Sequence, residues 1–153
     1  MSVHVQAILA LSAQSLYALK TLRSHGLSSS AVHRVYGSVV IARLLYAASA
    51  WWGFANHADL ERINAFLRRG MKCGFCPPET QSFEELCQAA DDKLFKTVLT
   101  NNNHVLHQLL PPQRNVFNYY NLRKPTHDRQ LPDKHSWLTN CNFLNRVLYR
   151  DMY

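Results

Sequence analysis

The sequence predicts a mostly α-helical bundle of about four helices over residues 1–100. An irregular, extended, basic C-terminal tail, residues 101–153, follows it and closes in a short helix. Three observations lead there. Apolar residues recur at helical spacing through the first hundred positions. Cap and stop residues punctuate that pattern at plausible helix ends. Past Asn101 the pattern dissolves into asparagines, scattered His and Arg, and four of the six prolines. With 153 residues, 47% of them apolar, the chain has the length of one ordinary domain and enough apolar surface for a core.

The first helix carries Val5, Ile8, Leu9, Leu16, Leu19 and Leu22 as one apolar stripe, with Lys20 and Arg23 to its side. His25-Gly26 supplies the stop, because Gly at the C′ position adopts a left-handed backbone without steric cost. Ser28, Ser29 or Ser30 caps a second helix that runs to about Trp52. From Val39 onward this helix is apolar nearly all round. The stretch LLYAASAWWGF, Leu44 to Phe54, therefore reads as the centre of the bundle, buried on most sides and filled at its end by Trp51, Trp52 and Phe54.

Asn56 caps the third helix, with Asp59 three residues on. With Leu60 set at zero, Ile63, Phe66, Leu67 and Met71 fall between about 240° and 20° at 100° per residue. Arg62, Arg68, Arg69 and Lys72 fall between about 80° and 200°, a basic face that only Glu61 interrupts. Pro77-Pro78 excludes helix after CGFC, and Gly74 provides a flexible joint. Ser82 and Glu85 form a capping box for a fourth helix, whose apolar stripe includes Phe83, Leu86, Cys87, Ala90, Leu94 and Val98. In the tail, Thr139 or Asn140 caps the terminal helix, whose face is Phe143, Leu144, Val147 and Leu148.

Charge narrows the function classes. Seventeen Lys and Arg against ten Asp and Glu give +7, which favours a polyanionic partner. The N-terminus has no basic leader, and its apolar run is broken by Gln6 and Ser12, so an export signal is not expected. The best membrane candidate, Val35 to Phe54, holds Arg43 near its middle, and no membrane span is expected. The expected location is intracellular, nuclear or cytoplasmic, with four thiols kept reduced.

Few residues suggest chemistry. Cys73-x2-Cys76 is half of a zinc site, and His104-x2-His107 is a possible second half. A predicted helix separates the pairs, so these are weak ligand candidates. Asp91-Asp92 evokes the paired aspartates of two-metal polymerases. Neighbours on a helix diverge by about 100°, so the two read as solvent-facing members of an acidic surface patch. There is no G-x-S-x-G, no glycine-rich phosphate loop, and no nucleophile with an evident base.

One stretch, AQSLYALKTLRSHGLSSSAVHRVYGSVVIARLLYAASAWWGF, resembles the region just after the polymerase core of non-LTR (LINE, jockey-like) retrotransposon reverse transcriptases. DLERINAFLRRGMKCGFCPPE, ELCQAADDKLFKTVLTNNNHVLHQLLPP, YNLRKPTHDRQLP and NFLNRVLYRDMY continue the likeness in order over nearly the whole chain. The resemblance implies a thumb and C-terminal region that grips a template–primer duplex of RNA and DNA through its backbone. The palm, with its paired aspartates and magnesium, and the endonuclease are absent. The expectation is a fragment that is not an enzyme on its own. Candidate nucleic-acid contacts are Arg62, Arg68, Arg69, Lys72, Lys20 and Arg23, with Arg43 either a further contact or part of a buried ion pair. The rival expectations are a protein-interaction helical domain with an inert basic surface, and a zinc-stabilised nucleic-acid module.

Overall fold

The computed structural model describes residues 1–114, 127–133 and 136–150. These are mostly helical, with no strand among them beyond one isolated bridge, between Gln113 and Arg129. Part of the predicted irregular run and the last three residues of the predicted terminal helix lie outside the described residues. The chain forms two compact units, residues 1–90 and residues 91–153.

In the first unit, α1 spans Ser2–Ser24. It ends as expected at Gly26, which has φ +96°. The Leu27 N–H donates to Leu22 O and the Gly26 N–H to Arg23 O, both at 3.1 Å. That is the Schellman pairing, which satisfies carbonyls left over at the helix end. Ser28 caps α2, Ser29–Val35, by accepting from the Ala31 N–H. Asn56 caps α5, His57–Lys72, by accepting from the Asp59 N–H at 2.7 Å. A second Schellman pairing closes α5, with Phe75 N–H on Gly70 O and Gly74 N–H on Met71 O. Gly74, at φ +69°, is thus a fixed helix stop rather than a loose joint.

The predicted second helix needs correction. After α2 the backbone widens into a π-helical stretch, Tyr36–Ile41, then tightens into α3, Ala42–Leu45. It breaks at Ala47, φ 49°, before α4, Ala48–Trp51, and a 3₁₀ turn, Trp52–Phe54. Only one stripe is buried: Val32, Tyr36, Val40, Leu44, Ala48 and Trp51. Trp52 and Phe54 are half-buried, while Val39 and Tyr46 face solvent. A unit of about 90 residues has too little volume to surround a helix on every side.

The twin-tryptophan stretch nonetheless anchors the core. The Trp51 ring stacks on Phe83 at 5.7 Å between centroids and meets the edge of His4 at 5.1 Å. Its indole N–H donates to Tyr46 O at 3.1 Å, across the bend at Ala47. The core also takes in Val5, Leu19, Ile63, Phe66, Leu67 and Cys87. Tyr36 is buried against Gly70, where an added Cβ would lie 2.6 Å from the Tyr36 hydroxyl. That hydroxyl has no hydrogen-bond partner of normal geometry, and burial, then the neighbouring Cys76 thiol, raises its pKa above the usual tyrosine value.

Helix α6, Phe83–Thr100, opens on the expected capping box. Ser82 N–H donates to Glu85 at 2.7 Å, and Glu85 N–H returns to Ser82 Oγ at 3.3 Å. Asn64 of α5 adds a tie by accepting from Phe83 N–H at 3.0 Å.

The second unit takes the rest of α6, a 3₁₀ segment Val105–Leu109, and two short helices, α7 (Trp137–Cys141) and α8 (Phe143–Tyr149). Ser136 and Thr139 form a capping box on α7, and Asn142 caps α8, where Thr139 or Asn140 was expected to cap one terminal helix. The predicted apolar face is right: Phe143, Val147 and Leu148 are buried with Phe95, and Leu144 packs against them.

The solvent-facing expectation is overturned for Asp91 but holds for Asp92, which is exposed. Asp91 is 1% exposed and pairs with Arg146 at 2.9 Å. Asp92 pairs with Arg150. A helix turn cannot reveal a cation that arrives from 55 residues away. His127 is buried too, with Nε2 on Leu148 O at 2.9 Å and Nδ1 accepting from Arg129 N–H at 3.1 Å.

Candidate nucleic-acid interface

Helices α1 and α5 run parallel, because they are tied at both ends. At the N-terminal ends the Ser2 hydroxyl donates to the Asp59 carboxylate at 2.8 Å. At the C-terminal ends Arg23 Nη1 donates to Cys73 O at 2.6 Å. The same guanidinium lies 4.6 Å from the centre of the Phe75 ring. Two helix C-termini, each carrying partial negative charge, therefore lie side by side.

The expected basic face of α5 exists. Arg62, Arg68, Arg69 and Lys72 are all exposed, opposite buried Ile63, Phe66 and Leu67. Its members differ in their surroundings. Arg62 lies 3.7 Å from the buried Asp59 carboxylate, and Arg68 lies 3.5 Å from Glu61. Both guanidinium groups are about half exposed, so these pairs are weak and screened by salt. Among the described residues Arg69, Lys72 and Lys20 have no ion pair.

Four of the six predicted contacts thus belong to the C-terminal turns of the helix pair. Lys20 sits one turn before Arg23 on α1, and Arg69 and Lys72 occupy the last turn of α5. Arg23 joins the two sets by reaching the end of α5. Arg62 and Arg68 fall outside this group and lie beside carboxylates. Sequence spacing exposed the α5 face, but not the junction with α1. The signal for that junction was the repeated pattern of a basic last turn followed by Gly, at Arg23 to Gly26 and Lys72 to Gly74.

Among the described residues Arg43 has no ion pair. Its Nη1 donates to Leu11 O at 2.7 Å and to Ser15 Oγ at 2.8 Å, both on α1. Asp59 is the residue that sequence reasoning undervalued: expected as a first-turn cap partner, it is a buried carboxylate shared by Ser2 and Arg62.

The zinc candidates each have their own surroundings. Cys73 is exposed, whereas Cys76 is buried beside Tyr36. His104 Nδ1 accepts from the Leu106 N–H at 3.1 Å, and His107 Nδ1 lies 2.8 Å from Val98 O. Among the described residues no group of three or more His, Cys, Asp or Glu is placed to hold a metal ion. No helix among them is long and apolar enough to cross a membrane. Compared with protein-family profiles, with curated proteins and with solved structures, the chain matches none.

Proposed function

We propose that the chain grips nucleic-acid backbones, as the thumb-like element of a non-LTR retrotransposon RNA-directed DNA polymerase, without catalytic residues of its own. The observation that carries this reading is the gathering of Lys20, Arg23, Arg69 and Lys72 at the paired ends of α1 and α5. Part of that charge offsets the two helix dipoles. Two half-charges absorb only about one cation, which leaves a surplus for phosphate. The collinear likeness supplies the polymerase context, and the helical first unit agrees with a thumb. Backbone contact of this kind positions a duplex without reading its bases. The chain then has RNA and DNA as partners and works beside a palm that carries the metal chemistry.

Binding to an RNA–DNA hybrid, titrated over a range of salt, tests this. Replacing Lys20, Arg69 and Lys72 together by Gln should weaken binding at least about tenfold and flatten the salt slope by about two to three. Replacing Arg62 and Arg68 should do less, since carboxylates already lie beside them. An unchanged affinity and slope in the triple variant would overturn the gripping surface.

A further inference from the structure

We propose that a second surface, on the outward side of α1, docks an apolar-faced helix of another protein that carries an acidic residue. From Ser2 to Leu19 the chain has no Lys, Arg, Asp or Glu. A solvated helix face ordinarily carries charge, yet here Val3 is 81% exposed and Leu11 is 49% exposed. Beside this face runs an open groove of about 480 Å³ between α1 and the π-helical stretch with α3. Ile8, Val39, Ala42 and Tyr46 supply its apolar walls, and the Tyr46 ring at the rim is 79% exposed.

Arg43 brings the charge. The two bonds from its Nη1 to α1 fix the guanidinium in the groove wall. Among the described residues its Nε and Nη2 have no partner. An oriented guanidinium with no acid beside it selects a carboxylate. The apolar walls select its carrier, an amphipathic helix laid into the groove. Unit distortions flank the same place, with the π-helical stretch before Arg43 and left-handed Ala47 after it. A nucleic-acid strand fits poorly, because it needs several cations and the groove offers one. Lys20 and Arg23 point roughly 100° or more away from Leu11 around α1, so this surface is separate from the basic junction.

Fluorescence anisotropy with the full chain tests the proposal. The probes are two synthetic helical peptides of about five turns, each with a leucine face and a central Glu or Lys. The Glu peptide should bind saturably and the Lys peptide about tenfold more weakly. Arg43→Gln should remove that discrimination, and Tyr46→Ala should weaken the Glu peptide by about threefold. Circular dichroism checks that Arg43→Gln still folds; if it does not, Tyr46→Ala and Leu11→Asp carry the test, because both side chains are exposed. Equal affinity for the two peptides, no saturation up to about 1 mM, or indifference to Tyr46→Ala would overturn it. So would sedimentation showing a dimer that Leu11→Asp dissociates, or a thymidine oligonucleotide whose binding is lost in Arg43→Gln. Because hybrid binding depends on other side chains, failure here leaves the gripping surface standing, and the reverse also holds.

Discussion

The two units of this chain are held together by different means. The first is an apolar core of interleaved helices, with Trp51, Tyr36, Phe66 and Phe83 at its heart and a few polar ties, at helix ends and from Arg43 and Asn64. The second has a small core of Phe95, Phe143, Val147 and Leu148, around which polar locks are set. Asp91 pairs with Arg146, Asp92 with Arg150, and His127 bridges Leu148 and Arg129. Arg129 also donates to Pro111 O at 3.2 Å, and the Tyr149 hydroxyl donates to Pro132 O. Short helices joined by irregular chain bury little apolar area, so directional bonds must fix their arrangement. One polar deletion should therefore hurt the second unit more than the first.

The largest effect is expected from Arg146→Ala. It leaves the Asp91 carboxylate buried without its cation and should cost about 3–5 kcal/mol. Hydrogen exchange at α8 amides should speed up sharply, while α1 and α5 keep their protection. Replacing both partners, Asp91→Leu with Arg146→Met, should be much milder, since no uncompensated charge remains. If the double variant is no better than the single, the lock is not an ion pair in energetic terms.

Next comes the close approach of Tyr36 to Gly70 in the first unit. Gly70→Ala puts a methyl group against the Tyr36 hydroxyl and should cost about 1–3 kcal/mol in urea denaturation. Tyr36→Phe removes an oxygen that makes no good bond, so alone it should be near neutral. Combined, the two should lose less than their sum, a coupling of about 0.5 kcal/mol or more. Tyr36 gives a pH signature as well. Its folded pKa is raised, so its contribution is complete below the unfolded value of about 10 and is lost as pH rises beyond that. Tyr36→Phe should flatten this alkaline decline.

The smallest expected effect belongs to Glu85. Its carboxyl is held below the usual range by the Ser82 backbone N–H, then by the Ser82 hydroxyl. A lowered folded pKa means stability present above the unfolded value and lost as pH falls through the folded one. Glu85→Gln should therefore shrink the acid-induced loss slightly, as seen in melting temperature against pH. No change at all would mean that the capping box forms without the charge.

The same contrast explains what was legible. Caps at Ser28, Asn56 and Ser82, the stop at Gly26, the apolar faces of α5 and α8 and that of α1 except Leu22, which is exposed, follow from neighbours within a few residues. Spacing rules capture such short-range chemistry. The Asp91–Arg146 pair, the Arg23 tie to Cys73 and the Arg43 ties to α1 join residues dozens of positions apart. No local pattern marks them, so Asp91 looked like a surface acid and Arg43 like either a nucleic-acid contact or one half of an ion pair. The basic face of α5 was legible because it is one helix side. Its union with Lys20 and Arg23 was not, because that needed the parallel pairing.

Among the described residues Ala47 is the one non-glycine residue with a positive φ, 49°. A left-handed backbone at alanine costs about 1–2 kcal/mol over glycine, and the Trp51 indole on Tyr46 O spans the bend that demands it. Tyr46, at φ −59° and ψ 120°, shares the bend, so α3 and α4 could fuse into one rod only if both residues turned helical, and Trp51 would then swing out of register with Phe83. The Trp51 indole thus acts as a latch on a latent longer helix. Glycine at that position would quiet the tension, whereas valine or isoleucine there would drive the chain toward the unbroken form.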